Sequence, residues 1–237
     1  MTRCPNCNHA TEPQALPGVG TSPVIEVEAC APCNLFWFAE FGSLRLTPQA
    51  VIDLFRYVGA AAGKPRNTLA TTFSCATCER PLVYTQDLQR TTRFSYWRCP
   101  RDRGQLITFH QFLRQKNFIR TPSPAELARL RETIRQVACS QCGAPIDLEK
   151  DSACGHCGTP VALIDPDGVV KALRELSAAA AIPAAGTAAA AFPAFADAQV
   201  DALLHLAQTR DDEPNHDLLA IGLAAAGAWL ADVLLSN

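Results

Sequence analysis

The stretch "ACAPCNLFWF", residues 29–38, joins a Cys-x-x-Cys pair to an apolar-aromatic run, and a related stretch, "RCPRDRGQLITFH", occupies residues 98–110. Each follows an earlier Cys-x-x-Cys pair, after a spacer of 22 residues in the first case and 20 residues in the second. The similar spacers and flanks predict an internal duplication. The second copy is incomplete, because Asp102 stands three positions after Cys99, where another cysteine is expected.

The number and spacing of the cysteines indicate a metal-binding protein. Of 11 cysteines in 237 residues, all but Cys99 fall in Cys-x-x-Cys pairs, and a third pair of pairs lies at 139–157 with an 11-residue spacer. The chain opens without the apolar core of a secretory signal, so we expect a cytoplasmic protein. In a reducing compartment such pairs are typical of metal ligands rather than of disulfides.

Zinc explains this pattern, because two Cys-x-x-Cys turns supply four thiolates in a tetrahedron. The turn often needs a positive φ after its second cysteine, which Gly143, Gly158, Asn8 and Asn34 are suited to adopt. We therefore predict two zinc sites and leave a third open. The predicted ligands are Cys4, Cys7, Cys30 and Cys33 in the first module, Cys75, Cys78, Cys99 and Asp102 in the second, and Cys139, Cys142, Cys154 and Cys157 in the third.

Two criteria disagree on the fourth ligand of the second module. Spacing from Cys99 selects Asp102, whereas turn chemistry selects residue 103, since Gly104 would then follow the ligand. Residue 103 is an arginine, which cannot coordinate a cation. His110 is the remaining nearby donor and ranks behind Asp102. If this module holds no metal, its three cysteines form a buried apolar cluster.

Two of the modules resemble known zinc ribbons. "CPNC" with "CAPCNLFWF" resembles the transcription factor IIB-type ribbons of small bacterial proteins, although a glycine pair is missing between Cys33 and Trp37. "CSQCGAPIDLEKDSACGHCGTPV", residues 139–161, resembles a generic zinc ribbon. The resemblance implies two small β-hairpins around a structural zinc, and it says little about function because the ribbon is so widely reused.

The remaining patterns predict a small α+β protein: tandem ribbons joined by helices, with a C-terminal helical segment. Helical spacing predicts a helix over 48–60, and a capping box at Ser123–Glu126 begins another over 121–138. The predicted units are a ribbon with its helix at 1–62, a degenerate ribbon at 68–120, a connecting helix at 121–137, a ribbon with a short helix at 138–177, an Ala/Pro-rich linker at 178–195 and an apolar helical pair at 196–237.

The last helix permits two interpretations. Residues 218–235 carry one charge and reach the length of a membrane span. Their many alanines and the absence of flanking Lys or Arg favour a helix packed against protein. We therefore expect a protein partner at the C-terminal helices and no membrane anchor.

Positive charge is concentrated in the first part of the chain, where residues 1–137 carry 17 Lys and Arg against 10 Asp and Glu. Around the second module, basic and aromatic residues interleave, as in proteins that bind single-stranded nucleic acid. The candidate contacts are Arg90, Arg93, Tyr96, Trp97, Arg98, Arg101, Arg103, Arg114 and Lys116. The alternatives are a solvated face or a protein-docking face, with the aromatic residues in a small core.

The sequence gives no positive indication of an enzyme. It contains neither His-Glu-x-x-His nor the paired motifs of a zinc deaminase, and no small-molecule substrate is evident. We predict a non-enzymatic zinc-binding adaptor. The alternatives are a nucleic-acid-binding or transcription-related factor that uses residues 90–120 and, last, an enzyme with an open zinc in the second module.

Overall fold

The structure is a computed structural model, and its central feature is a six-stranded antiparallel sheet. It describes residues 2–20, 23–61, 66–89, 92–165, 167–169, 171 and 218. The strand order is β1-β2-β3-β6-β5-β4. The strands are β1 (Glu12–Pro17), β2 (Val24–Cys30), β3 (Leu35–Phe38), β4 (Val83–Gln89), β5 (Thr92–Arg98) and β6 (Gln105–Thr108). The first two modules therefore share one sheet.

The centre of the sheet has the symmetry of a two-fold rotation. Strands β3 and β6 pair in antiparallel register, with Trp37 opposite Leu106. These two residues are counterparts in the two modules, since each stands four positions after the last residue of its Cys-x2-Cys or Cys-x2-Asp turn. Each module thus adds a three-stranded half to the sheet, in agreement with the predicted duplication.

Helices pack on both faces of this sheet, the first two on one face and the third on the other. They are α1 (Pro48–Ala60), which Thr47 caps, α2 (Phe109–Gln115) and α3 (Pro124–Thr133), which begins with the predicted capping box. Helix α1 confirms the predicted span, whereas α2 was not predicted. The helix expected over 121–138 is shorter, because the chain becomes extended at Ile134 and enters a strand that contains Val137.

The third module contains a short strand pair of its own and joins the preceding part of the chain through a second pair. Strand β8 (Gln136–Ala138) pairs with β9 (Pro145–Asp147), and β7 (Ile119–Arg120), which follows α2, pairs with β10 (Leu163–Ile164). The predicted linker at 178–195 and the predicted C-terminal helices lie outside the described residues, except for Leu218, which is helical and buried. None of the helices in the described ranges is long and apolar enough to cross a membrane.

Alternation along the strands divides the interior into two cores, because neighbouring side chains of a strand point to opposite faces. Phe36 and Phe38 of β3 enter what we call the aromatic core, which also contains Phe55 of α1, Phe109 and Phe112 of α2, and Phe118. Leu35, between Cys33 and Phe36, faces the other way. It joins the cysteine-lined core with Leu69, Phe73, Trp97, Leu106, Leu130, Ile146 and Leu163.

Gly104 lies at a close approach between the two modules. A Cβ built at this position would stand 2.4 Å from Cζ2 of Trp37, whereas a Cβ on Gly155 would meet nothing within 4 Å. We expect Gly104→Ala to lower the free energy of unfolding by about 1–3 kcal/mol, because the indole must move out of a packed site. Gly155→Ala should change it by less than about 0.5 kcal/mol. Equal denaturant midpoints for the two metal-saturated variants would contradict this packing.

Candidate metal centres

The first cluster brings together Cys4, Cys7, Cys30 and Cys33, whose sulfur atoms all lie within 4.8 Å of one another. Its first turn is closed by the backbone N–H of Asn8, which donates to the carbonyl of Cys4 over 2.9 Å. Asn8 has the positive φ that the sequence predicted, 60°. Four sulfur atoms at this separation can surround one tetrahedral metal ion.

Two side-chain amides approach the sulfur of Cys33. The Nδ2 atom of Asn6 lies 3.3 Å from it and Nδ2 of Asn67 lies 3.5 Å away. Hydrogen bonds, first from Cys30 and Cys4 and then from these amides, lower the pKa of the Cys33 thiol. Donors around a ligand sulfur delocalise its charge and orient it, as the outer shell of a metal site does.

The third cluster has the same construction. Cys139, Cys142, Cys154 and Cys157 place their sulfur atoms within 4.8 Å, with Cys139 and Cys157 3.6 Å apart. The glycines after its two pairs have φ values of 77° and 71°, as predicted. Three of the four cysteines are buried and Cys157 is exposed. Both four-cysteine clusters fill all positions of a tetrahedral ion, which is the arrangement of structural zinc sites.

The second cluster contains three cysteines. The sulfur atoms of Cys75, Cys78 and Cys99 lie within 4.8 Å of one another, and Cys78 and Cys99 are 3.5 Å apart. The carboxylate of Asp102 stands at the edge of this group, with Oδ2 3.9 Å from the sulfur of Cys75. This group could also hold a metal ion.

His110, the alternative ligand, lies elsewhere. It is buried in α2, and its Nδ1 is 2.9 Å from the hydroxyl of Ser140 in the third module. Burial lowers its pKa to about 3, so the imidazole is neutral. Because α2 begins directly after β6, His110 is directed toward the third module and joins none of the three clusters.

The predicted nucleic-acid contacts divide into buried and exposed groups. Tyr96 and Trp97 are each only 8% exposed, so their rings belong to the cores and cannot stack on bases. Burial lowers the pKa of Lys116 to about 8, and its Nζ donates to the carbonyl of Ser43 over 2.8 Å. The structure therefore places these three residues in the interior.

The arginines differ from one another in the same way. Arg93, Arg98 and Arg101 are exposed, Arg114 is half-buried and Arg90 lies outside the described residues. Arg103 is exposed but forms an ion pair with Glu40, with Nε 2.8 Å from Oε1. A groove beside them is lined by Arg98 and Arg103 but also by Glu40 and Asp87. This mixture of charges is poorly suited to a phosphate backbone.

The segment 66–70 connects the clusters and was not recognised in the sequence. The backbone N–H of Asn67 donates to the carbonyl of Pro32 over 2.8 Å, and that of Leu69 donates to the carbonyl of Cys142 over 3.0 Å. Arg66 reaches the carbonyl of Cys139 over 3.1 Å. One extended segment therefore bonds to the turns of both four-cysteine clusters. Its sequence, "RNTLA", has no pattern that indicates this role.

Comparisons with protein-family models, with curated proteins and with solved structures gave no match to this chain. Cysteine sulfur favours zinc and other thiophilic ions over magnesium or calcium. Four thiolates around one ion leave no position for a substrate or water, so the first and third clusters are suited to hold structure.

Proposed function

We propose that this chain is a non-enzymatic, zinc-stabilised adaptor that binds another protein. The observation that supports it best is the placement of the thiols: eight of the 11 cysteines belong to one buried core. Metal ions there would replace hydrophobic area as the source of stability, as they do in small zinc domains. An exposed strand on this metal-stabilised core can then bind a partner without being needed for stability.

A structural role for the metals agrees with the donor sets. Among the residues that the structure describes, the groups able to hold a metal are the three cysteine clusters. Two of them are closed four-thiolate sets. The buried histidine of α2, His110, is neutral and belongs to none of the three clusters. A catalytic zinc would need an open position and a base nearby.

Strand β4 is the surface that we assign to the partner. It forms an edge of the sheet within the described residues, and three of its apolar side chains are half-exposed: Val83 at 50%, Tyr84 at 53% and Leu88 at 57%. The opposite edge, β1, contains two prolines, which block pairing with another strand. An unprotected edge with apolar side chains suits an extended protein segment that adds a strand.

Site-specific photo-crosslinking of the full chain tests this assignment. A photoreactive residue in place of Leu88 on β4 should yield covalent adducts with a protein, and the same residue in place of Gln14 on β1 should not. Introducing a charge with Tyr84→Lys should remove the adducts while the zinc content stays unchanged. Equal adducts from both edges would contradict the β4 site.

The nucleic-acid alternative stays a prediction that the same protein can test. Binding of a fluorescent single-stranded RNA at low salt, lost in Arg98→Glu, would support that alternative over the adaptor. We expect no saturable binding, because the candidate stacking residues are internal.

A further inference from the structure

The turn around Cys99 has the same backbone geometry as the turns that begin at Cys4, Cys75, Cys139 and Cys154. In the turn at Cys75, the N–H of Glu79 donates to the carbonyl of Cys75 over 2.9 Å, and Glu79 has a φ of 58°. In the turn at Cys99, the N–H of Arg103 donates to the carbonyl of Cys99 over 3.1 Å, and Arg103 has a φ of 61°. Arg103 thus occupies the position that follows the second ligand.

This geometry resolves the disagreement between spacing and turn chemistry. Arg103, and not Gly104, is the counterpart of Gly143 and Gly158 in the third module. The residue before it, Asp102, therefore stands where Cys7, Cys78, Cys142 and Cys157 stand in the other turns. Spacing selects the ligand position correctly.

The two oxygens of Asp102 have different surroundings. Oδ1 accepts a hydrogen bond from the backbone N–H of Gly104 over 2.8 Å. Oδ2 lies 3.9 Å from the sulfur of Cys75, on the side of the three thiols. A carboxylate with one oxygen held by an N–H and the other facing the Cys75 sulfur can coordinate a metal ion through that one oxygen.

The neighbouring arginine is held away from the cluster. The Arg103 guanidinium pairs with Glu40 of the first module, with Nε 2.8 Å from Oε1. This exposed ion pair directs the Arg103 side chain toward the first module. Asp102 itself is exposed and Cys78 is partly exposed, so the site opens toward solvent.

We propose that Cys75, Cys78, Cys99 and Asp102 form a third zinc site, in which the Asp102 carboxylate is the displaceable ligand. The site carries one thiolate fewer than the other two and has an exposed oxygen ligand, so it exchanges its ion first. This role for the second cluster rests on the proposed zinc-stabilised scaffold. The four-cysteine sites hold the fold, whereas the site with Asp102 responds to the zinc supply.

Native mass spectrometry of the full chain, with a zinc chelator added stepwise, tests this proposal. The wild type should carry three zinc ions and lose one of them before the other two. Asp102→Ala should carry two under the same conditions. Asp102→Cys should carry three and require roughly tenfold more chelator to lose the first. Asp151→Ala, an exposed aspartate outside the clusters, serves as the matched control and should match the wild type.

Other zinc counts would contradict either the third site or the zinc-stabilised scaffold. Two ions in the wild type and three in Asp102→Cys would overturn the third site, and three equally resistant ions in Asp102→Ala would overturn Asp102 as a ligand. Fewer than two ions in the wild type would instead count against the zinc-stabilised scaffold. Cobalt substitution adds an independent signal, since the ion lost first should show weaker thiolate absorption than the other two.

Discussion

Replacing Cys142 by serine should unfold more of the chain than the third module alone. Cys142 supplies a ligand sulfur to the third cluster, and its carbonyl accepts the N–H of Leu69. The same segment bonds through Asn67 to Pro32 in the first cluster. Structural zinc contributes about 10–16 kcal/mol to small domains, whereas a whole domain has a net stability of about 5–15 kcal/mol. One lost site is therefore enough to remove the cooperative transition.

Hydrogen exchange on the zinc-saturated variant measures this effect. We expect amide protection to fall in β3 and β6 as well as in β8 and β9. His156→Ala is the matched control, because His156 is exposed in the other Cys-x-x-Cys turn of the third module and is not a ligand. If the Cys142→Ser variant keeps full protection in the six-stranded sheet, the clusters are energetically independent and the shared core does not couple them.

Phe36→Ala should produce the largest loss of stability among substitutions outside the clusters. Phe36 is 1% exposed and its ring lies 6.0–6.2 Å from the rings of Phe38, Phe109 and Phe112. Truncating it removes buried apolar area and leaves a cavity where the two modules and their helices meet. We expect the free energy of unfolding to fall by about 3–5 kcal/mol.

Phe41→Ala provides the matched comparison, since Phe41 is 54% exposed in the loop after β3. It should change the free energy of unfolding by less than about 0.5 kcal/mol. Denaturant unfolding with zinc in excess measures both variants under the same conditions. A Phe36→Ala midpoint close to that of Phe41→Ala would show that the aromatic core contributes little.

Features set by local chemistry could be predicted from the sequence. The span of α1 follows from its apolar spacing and its proline, and the start of α3 follows from its capping box. The cysteine clusters follow from pairs that are three residues apart. Positive φ at Asn8, Asn34, Gly143 and Gly158 follows from the steric freedom of glycine and the tolerance of asparagine.

Long-range features could not be predicted in this way. The pairing of β3 with β6 joins residues about 70 positions apart in sequence, and nothing local in "LFWF" specifies a partner. Tyr96 and Trp97 are internal because they point to opposite faces of β5, and each face of the sheet packs against one of the two cores. Arg103 adopts a positive φ although it is neither glycine nor asparagine. A search for those two residue types therefore selects Gly104 and does not identify Asp102 as the ligand position.

The central claim is that metal ions hold this fold together, and native mass spectrometry can test it in one experiment. The method reports the number of zinc ions and the compactness of each chain at the same time. As chelator is added to the wild type, we predict that compact chains carry two or three zinc ions and that chains with none are expanded. A compact chain that carries no metal would contradict the account.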